Sequence, residues 1–149
     1  MSDLDLVSLL STSFHTLVDK LHERLAELGF RDIRSVHGYI FKYIALHDGA
    51  TGIELADHLG ITKQAVSKIV DYLEENDYVL RKPHPTDKRG KIIVLTERGQ
   101  LAIEAKEKIL NEIEQHLIYN IGAKRMQMMK DDLANVICEA YKRTSPFKK

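Results

Sequence analysis

The segment from Thr51 to Gly99 restricts the fold more than any other part of this 149-residue chain. It opens with GIELADHLGITKQAVSKIVDYLEEN and runs straight into YVLRKPHPTDKRGKIIVLTERG. The first string reads as two helices: a short one from Gly52 to Leu59, a tight bend at Gly60, and a second helix through Glu75 for which Thr62 is the N-cap. In the second helix Val66, Ile69, Val70 and Leu73 form the inward side, and Lys63, Gln64, Ser67, Lys68 and Asp71 the outward one. The second string holds two β-rich runs, Tyr78 to Arg81 and Lys91 to Leu95, separated by Pro, Thr, Asp and Gly. That is a hairpin with a long solvated loop.

The outward residues of the Thr62 helix suit a DNA major groove. Glutamine bonds adenine through two hydrogen bonds, lysine reaches guanine or phosphate, serine fits either, and Ala65 is small enough for close approach to backbone or a thymine methyl. The acids Asp71, Glu74 and Glu75 lie toward the far end, so the N-terminal half is cationic and the helix dipole adds to it. In the hairpin, Arg81, Lys82, Lys88, Arg89 and Lys91 face a single acid, Asp87, for a local charge of +4, to which His84 adds when protonated. Asp87 stands two residues before Arg89, close enough to pair with its guanidinium and hold it extended toward a narrow, electronegative minor groove. The whole chain carries a net charge of zero, so bulk electrostatic coating of nucleic acid is excluded and phosphate contact must come from this local patch.

Elsewhere the pattern is helical. Val7, Leu10, Phe14, Leu17, Leu21, Leu25 and Leu28 recur at steps of three and four between Leu4 and Leu28, with Gly29 as the stop. Val36 to Leu46 forms a second helix, closed by the HDGAT turn. After the hairpin, Thr96 caps a helix carrying Leu101, Ala105, Ile109, Ile113, Leu117 and Ile121 that ends near Gly122. A last helix from Lys124 to Arg143 places Met126, Met129, Leu133, Val136, Ile137 and Ala140 on one side, and the tail TSPFKK frays. The expected fold is mainly α with a small β-hairpin wing, a winged helix-turn-helix flanked by long helices. Those flanking helices are too long for a domain of this size to cover, and their near-heptad stripes point to packing against a second copy of the chain.

The unit LADHLGITKQAVSKIVDYLEENDYVLRKPHPTDKRGKIIVLTERG resembles the winged helix-turn-helix of the MarR family of bacterial transcription regulators. Its most specific part is the Asp87-x-Arg89 tip, followed by an apolar strand and Leu95-Thr96-Glu97-Arg98-Gly99. The resemblance implies one domain over residues 1–149, with a DNA-binding lobe at 36–99 and a helical dimerisation lobe from 1–30 and 100–149. It implies a homodimer on an inverted-repeat operator of double-stranded DNA, with recognition helices (62–75) in successive major grooves and wings (81–91) in the minor groove. The residues expected to meet DNA are Thr62, Lys63, Gln64, Ser67 and Lys68 on the helix and Arg81, Lys88, Arg89 and Lys91 on the wing, with Asp87 orienting the tip. Two positions depart from the family pattern: Asp77 stands where glycine is usual after the recognition helix, and His84 where aspartate is frequent.

Regulators of this kind bind small aromatic molecules between their lobes, and His15, His37, Tyr39, Phe41 and Tyr43 are the residues placed to line such a space. The expected function is a dimeric repressor released by such a ligand; the alternative is a winged-helix protein-interaction module without specific DNA binding. His15, Asp19 and His22 step along one helix at four and three, yet no fourth ligand is in register, so no metal and no cofactor are expected. Cys138, the single cysteine, lies on an apolar helical face where burial keeps a thiol inert, and a lone cysteine fits a reducing compartment. No phosphate loop, nucleophile elbow or membrane-length apolar run is present, so the chain is expected to be a cytoplasmic protein and not an enzyme.

Overall fold

The computed structural model describes residues 3–141, so the expected fraying of Thr144–Lys149 and the helix end at Arg143 lie outside the described residues. Six helices and one hairpin follow the expected order: α1 (Leu6–Glu27), α2 (Ser35–His47), α3 (Gly52–Leu59), α4 (Lys63–Glu75), β1 (Val79–Pro83), β2 (Lys91–Leu95), α5 (Glu97–Ile121) and α6 (Ala123–Tyr141). The ends are set by short polar side chains. Asp5 accepts the Ser8 N–H, which starts α1 at Leu6 and not at Leu4, while Thr51, Thr62 and Thr96 accept the N–H of Glu54, Ala65 and Gly99 at 3.0–3.2 Å. Each such cap is worth about 1 kcal/mol.

The close of α4 shows how Asp77 copes in place of glycine. Asn76 is the C-cap, and Asp77 takes the left-handed conformation at φ 63°. Tyr78 N–H then reaches back to Leu73 O at 2.8 Å and Asp77 N–H to Glu74 O at 3.0 Å, the paired bonds of a Schellman turn. A carboxylate here also sits at the negative end of the helix dipole. Asp77→Gly relieves both costs and is expected to raise stability by about 1 kcal/mol against glycine's extra unfolded entropy, read as a higher denaturation midpoint with unchanged slope.

β1 and β2 pair antiparallel from Val79↔Leu95 to Pro83↔Lys91. On its other edge β2 exchanges two hydrogen bonds with Ala50, through Ile93, so the wing is tied to the turn before α3. Two apolar cores result. The larger collects Ile40, Phe41 and Ile44 of α2, Leu55 of α3, Val66, Val70 and Leu73 of α4, then Tyr78, Val79, Ile93 and Ala102. The smaller joins Leu21 and Leu25 of α1 to Ile109 and Ile113 of α5, and Phe30 packs against both. Each fully buried aliphatic side chain contributes about 1.5–3 kcal/mol, so the α4 trio alone holds the helix firmly on its support.

The remaining apolar surface is uncovered. The upper part of the α1 stripe (Leu6, Val7, Leu10, Phe14) is exposed, as are Tyr119 of α5 and Met128, Met129, Val136 and Ile137 of α6. Of the α6 stripe, Met126 is buried and Leu133 half-buried. Cys138 is exposed on that helix, which corrects the expectation that it is buried: its apolar neighbours are themselves uncovered within a single chain.

Candidate nucleic-acid interface

The buried side of α4 forces its opposite side outward. With Val66, Val70 and Leu73 in the core and Ile69 half-buried, Thr62, Lys63, Gln64, Ser67 and Lys68 all stand exposed. A crevice of about 120 Å³ runs between this helix and the wing, lined by Gly52, Lys63, Val66, Ser67, Val70, Arg81, Lys91 and Ile93. Four of the residues expected to meet DNA thus converge on one groove whose lining contains no carboxylate. Lys63 and Lys91, the lining cations with no ion pair among the described residues, give it an attraction for phosphate.

At the wing tip Lys88, Arg89 and Lys91 are exposed. His84 organises the bend: its Nδ1 accepts the backbone N–H of Thr86 at 3.2 Å and of Asp87 at 3.0 Å, and its backbone N–H donates to Gly90 O at 3.1 Å. As an acceptor of two backbone N–H groups, the ring nitrogen does here what a short carboxylate or amide does in an Asx-turn. Asp87 corrects a sequence expectation. Its Oδ1 accepts the backbone N–H of Arg89 at 2.9 Å, and no ion pair with the Arg89 guanidinium forms among the described residues. Two-residue spacing suits a local backbone bond better than a reach along a long side chain, so Asp87 fixes the Arg89 backbone and leaves the guanidinium free.

Arg81 also departs from expectation. Its guanidinium turns onto α4, with Nη2 at 2.7 Å from Asp71 Oδ1 and Nη1 donating to Glu74 Oε1 at 3.1 Å. Glu74 Oε2 accepts the Arg81 backbone N–H as well, at 3.0 Å. Sequence reading placed Arg81 among free cations because Glu74 is seven residues away across a turn, outside the spacings at which helix neighbours pair.

The five aromatic and histidine candidates do not form one cleft in the single chain. Phe41 is core, tilted against Tyr78; Tyr43 stacks on His47 at 4.0 Å; Tyr39 is exposed; His15 lies on α1 with Nδ1 at 2.7 Å from Ser11 O. A larger open depression, about 490 Å³, is lined by Ile44, Ala45, Asp48, Gly49, Val94, Leu95, Thr96, Glu97 and Gln100 and by none of the five. Among the described residues no three His, Cys, Asp or Glu side chains converge on a point, His15, Asp19 and His22 included.

His37 is a structural histidine. It is buried, its Nδ1 accepts the Arg34 N–H at 2.9 Å, and its ring stacks on Tyr72 at 5.2 Å. Burial, and then the Arg34 charge, push its pKa below the ordinary 6.5. A depressed folded-state pKa means the unfolded chain takes up the proton first, so stability is full above pH 6.5 and falls as the pH drops beneath it. Thermal midpoints should decline from pH 7 to pH 5, and His37→Gln should flatten that dependence; an equal slope in both proteins would remove His37 from the cause.

Sequence reading missed one further residue, Arg98. Its Nη2 donates to Tyr78 OH at 3.0 Å and to Gly29 O at 3.2 Å, and its guanidinium lies over the Tyr78 and Phe30 rings at 4.6 and 5.4 Å. It joins the end of α1 to the root of the wing. The Leu95–Gly99 string was recognised as specific, but periodicity carries no sign that Arg98 spans two lobes.

A helix held by its apolar side, an exposed polar side and a cationic hairpin beside it define a winged helix-turn-helix protein. Residues 32–90 match the model of the MarR family, and the winged helix-turn-helix of this chain is that of the MarR family. Over nearly the whole chain the fold is that of MarR-family DNA-binding regulators. The chain is 27% identical to Staphylococcus aureus MepR in its DNA complex, with a TM-score of 0.69 over 91% of this chain and 97% of that one. Against MepR described as a transcription regulator of the multidrug efflux pump MepA, identity is 26% and TM-score 0.71 over 92% and 99%. E. coli MarR in its apo form matches at 25% identity and TM-score 0.66 over 89% and 97%.

Proposed function

We propose that this protein is a homodimeric transcription regulator, a cytoplasmic repressor that binds an inverted-repeat operator and is released by a small aromatic ligand. The observation that carries the reading is the crevice between α4 and the wing, whose lining brings Lys63 and Lys91 together with Ser67 and includes no carboxylate. Recognition helix 62–75 enters the major groove and wing 81–91 the minor groove, with Gln64 and Lys68 at base edges and Lys88 and Arg89 at the tip. The likeness to MepR, solved in complex with DNA, supports DNA as the partner.

Residues 1–30 and 100–149 form the dimerisation lobe on this reading, supported by the uncovered apolar faces of α1, α5 and α6. A second copy covers them, since exposed apolar stripes of this length are rare on monomers. The scatter of His15, His37, Tyr39, Phe41 and Tyr43 argues that a ligand site takes walls from both copies. No described helix is long and apolar enough to cross a membrane.

Selection of bound fragments from a random duplex pool tests the reading, together with the mass of the protein in solution. The expected result is a palindromic consensus with half-sites about one helical turn apart and a dimeric mass. Recovery of no preferred duplex would favour the protein-interaction alternative.

A further inference from the structure

We propose that Arg81 is the positioning residue of the DNA-binding surface: it sets the angle between wing and recognition helix and makes no phosphate contact of its own. The inference rests on the proposed DNA-binding function and deepens it. β1 has β2 on one edge only, so the outward Arg81 N–H has no strand partner, and Glu74 Oε2 takes it at 3.0 Å. The other oxygen of that carboxylate takes Nη1, so Glu74 holds both the backbone and the side chain of one wing residue. On the same guanidinium, Nη2 meets Asp71 Oδ1 at 2.7 Å and Ser67 O at 3.4 Å. The wing root is therefore pinned to three positions of α4: 67, 71 and 74.

Charge points the same way. One guanidinium beside two carboxylates leaves no net positive charge to offer a phosphate. Moving Arg81 toward DNA would strip Asp71 and Glu74, neighbours on one helix face, of their counter-charge beside a polyanion. The Arg81 side chain is also 24% exposed, against 57% for Asp71, so the cation lies beneath the acid it neutralises.

The two roles predict opposite signs for Glu74→Ala. If Arg81 touched phosphate, removing an acid and freeing the arginine would tighten binding. As a strut it must weaken binding, by about fivefold, although the protein gains a positive charge. Arg81→Ala should weaken binding about tenfold and leave the slope of log K against log salt unchanged, whereas loss of a phosphate contact lowers that slope by about 0.9 per site.

A readout free of DNA accompanies these. Spin labels at Lys68→Cys and Thr86→Cys, in a Cys138→Ser background, report the helix-to-tip distance. Its distribution should widen about twofold in the Glu74→Ala and Arg81→Ala proteins. An unchanged width, a tighter Glu74→Ala complex or a reduced Arg81→Ala slope would each overturn the proposal. If the wild type prefers no duplex, the proposed function falls and the distance measurement alone decides whether Arg81 is a strut.

Discussion

Gly99→Ala is expected to cost about 3 kcal/mol or more and to lower the thermal midpoint by about 10 °C. A Cβ at position 99 would be driven into the backbone carbonyl oxygen of Tyr78 and crowd the Leu95 side chain. Neither neighbour can give way cheaply. Tyr78 is fully buried, its N–H is bonded to Leu73 O and its carbonyl accepts the Thr96 N–H at 3.1 Å, so moving it opens the end of α4 and the start of α5 together. Alanine's better helix propensity, about 1 kcal/mol, offsets only part of the strain. Gly52→Ala is the control: nothing lies within 4 Å of its Cβ position, so stability should hold or rise. Equal denaturation midpoints for Gly99→Ala and wild type would show that α5 is not pressed against the wing root.

The same contact explains why one part of the sequence was so informative. The Leu95–Gly99 string is a structural joint: Thr96 caps α5 and donates to Asp77 O, Arg98 bonds Tyr78 OH, and Gly99 admits the Tyr78 carbonyl. Caps and periodicity made the element order legible because each acts within a few residues. Thr62 and Thr96 announce helices by local bonds, and the α4 stripe states which side is buried before any partner is known. That stripe fixed the outward set Lys63, Gln64, Ser67 and Lys68 as well.

Interactions between elements were not legible. Nothing in the spacing of Glu74 and Arg81 shows that a helix acid turns back to a strand, so from sequence Arg81 looks like one more wing cation. The dispersal of the aromatic group within one chain has a related reason. Phe41 and Tyr43 are two residues apart, which on a helix sends them to different sides, one into the core against Tyr78 and one toward His47. Cys138 was read from its apolar neighbours as buried, but the described part of one chain supplies nothing to cover them.

On the proposed function, Arg89→Ala is expected to abolish most operator affinity, by about 2–4 kcal/mol where two copies each present the residue, or roughly 30- to 1,000-fold in Kd. The geometry isolates the effect. Asp87 holds the Arg89 backbone N–H and His84 holds the bend, so truncating the side chain leaves the tip's own bonds intact and removes only an exposed guanidinium. Thermal stability should therefore stay within about 0.5 kcal/mol of wild type, as for other exposed substitutions. Because a cation leaves each half-site, the loss should be similar across duplexes and the salt slope should fall by about 2. Gln64→Ala makes the contrasting case: an exposed neutral side chain on the recognition helix should cost about 1–3 kcal/mol on the preferred duplex, relax choice at one base per half-site and leave the salt slope unchanged. Titrations of both variants at several salt concentrations separate the outcomes. An Arg89→Ala protein that binds its operator as wild type does would remove the wing from the mechanism and leave the recognition helix to act alone.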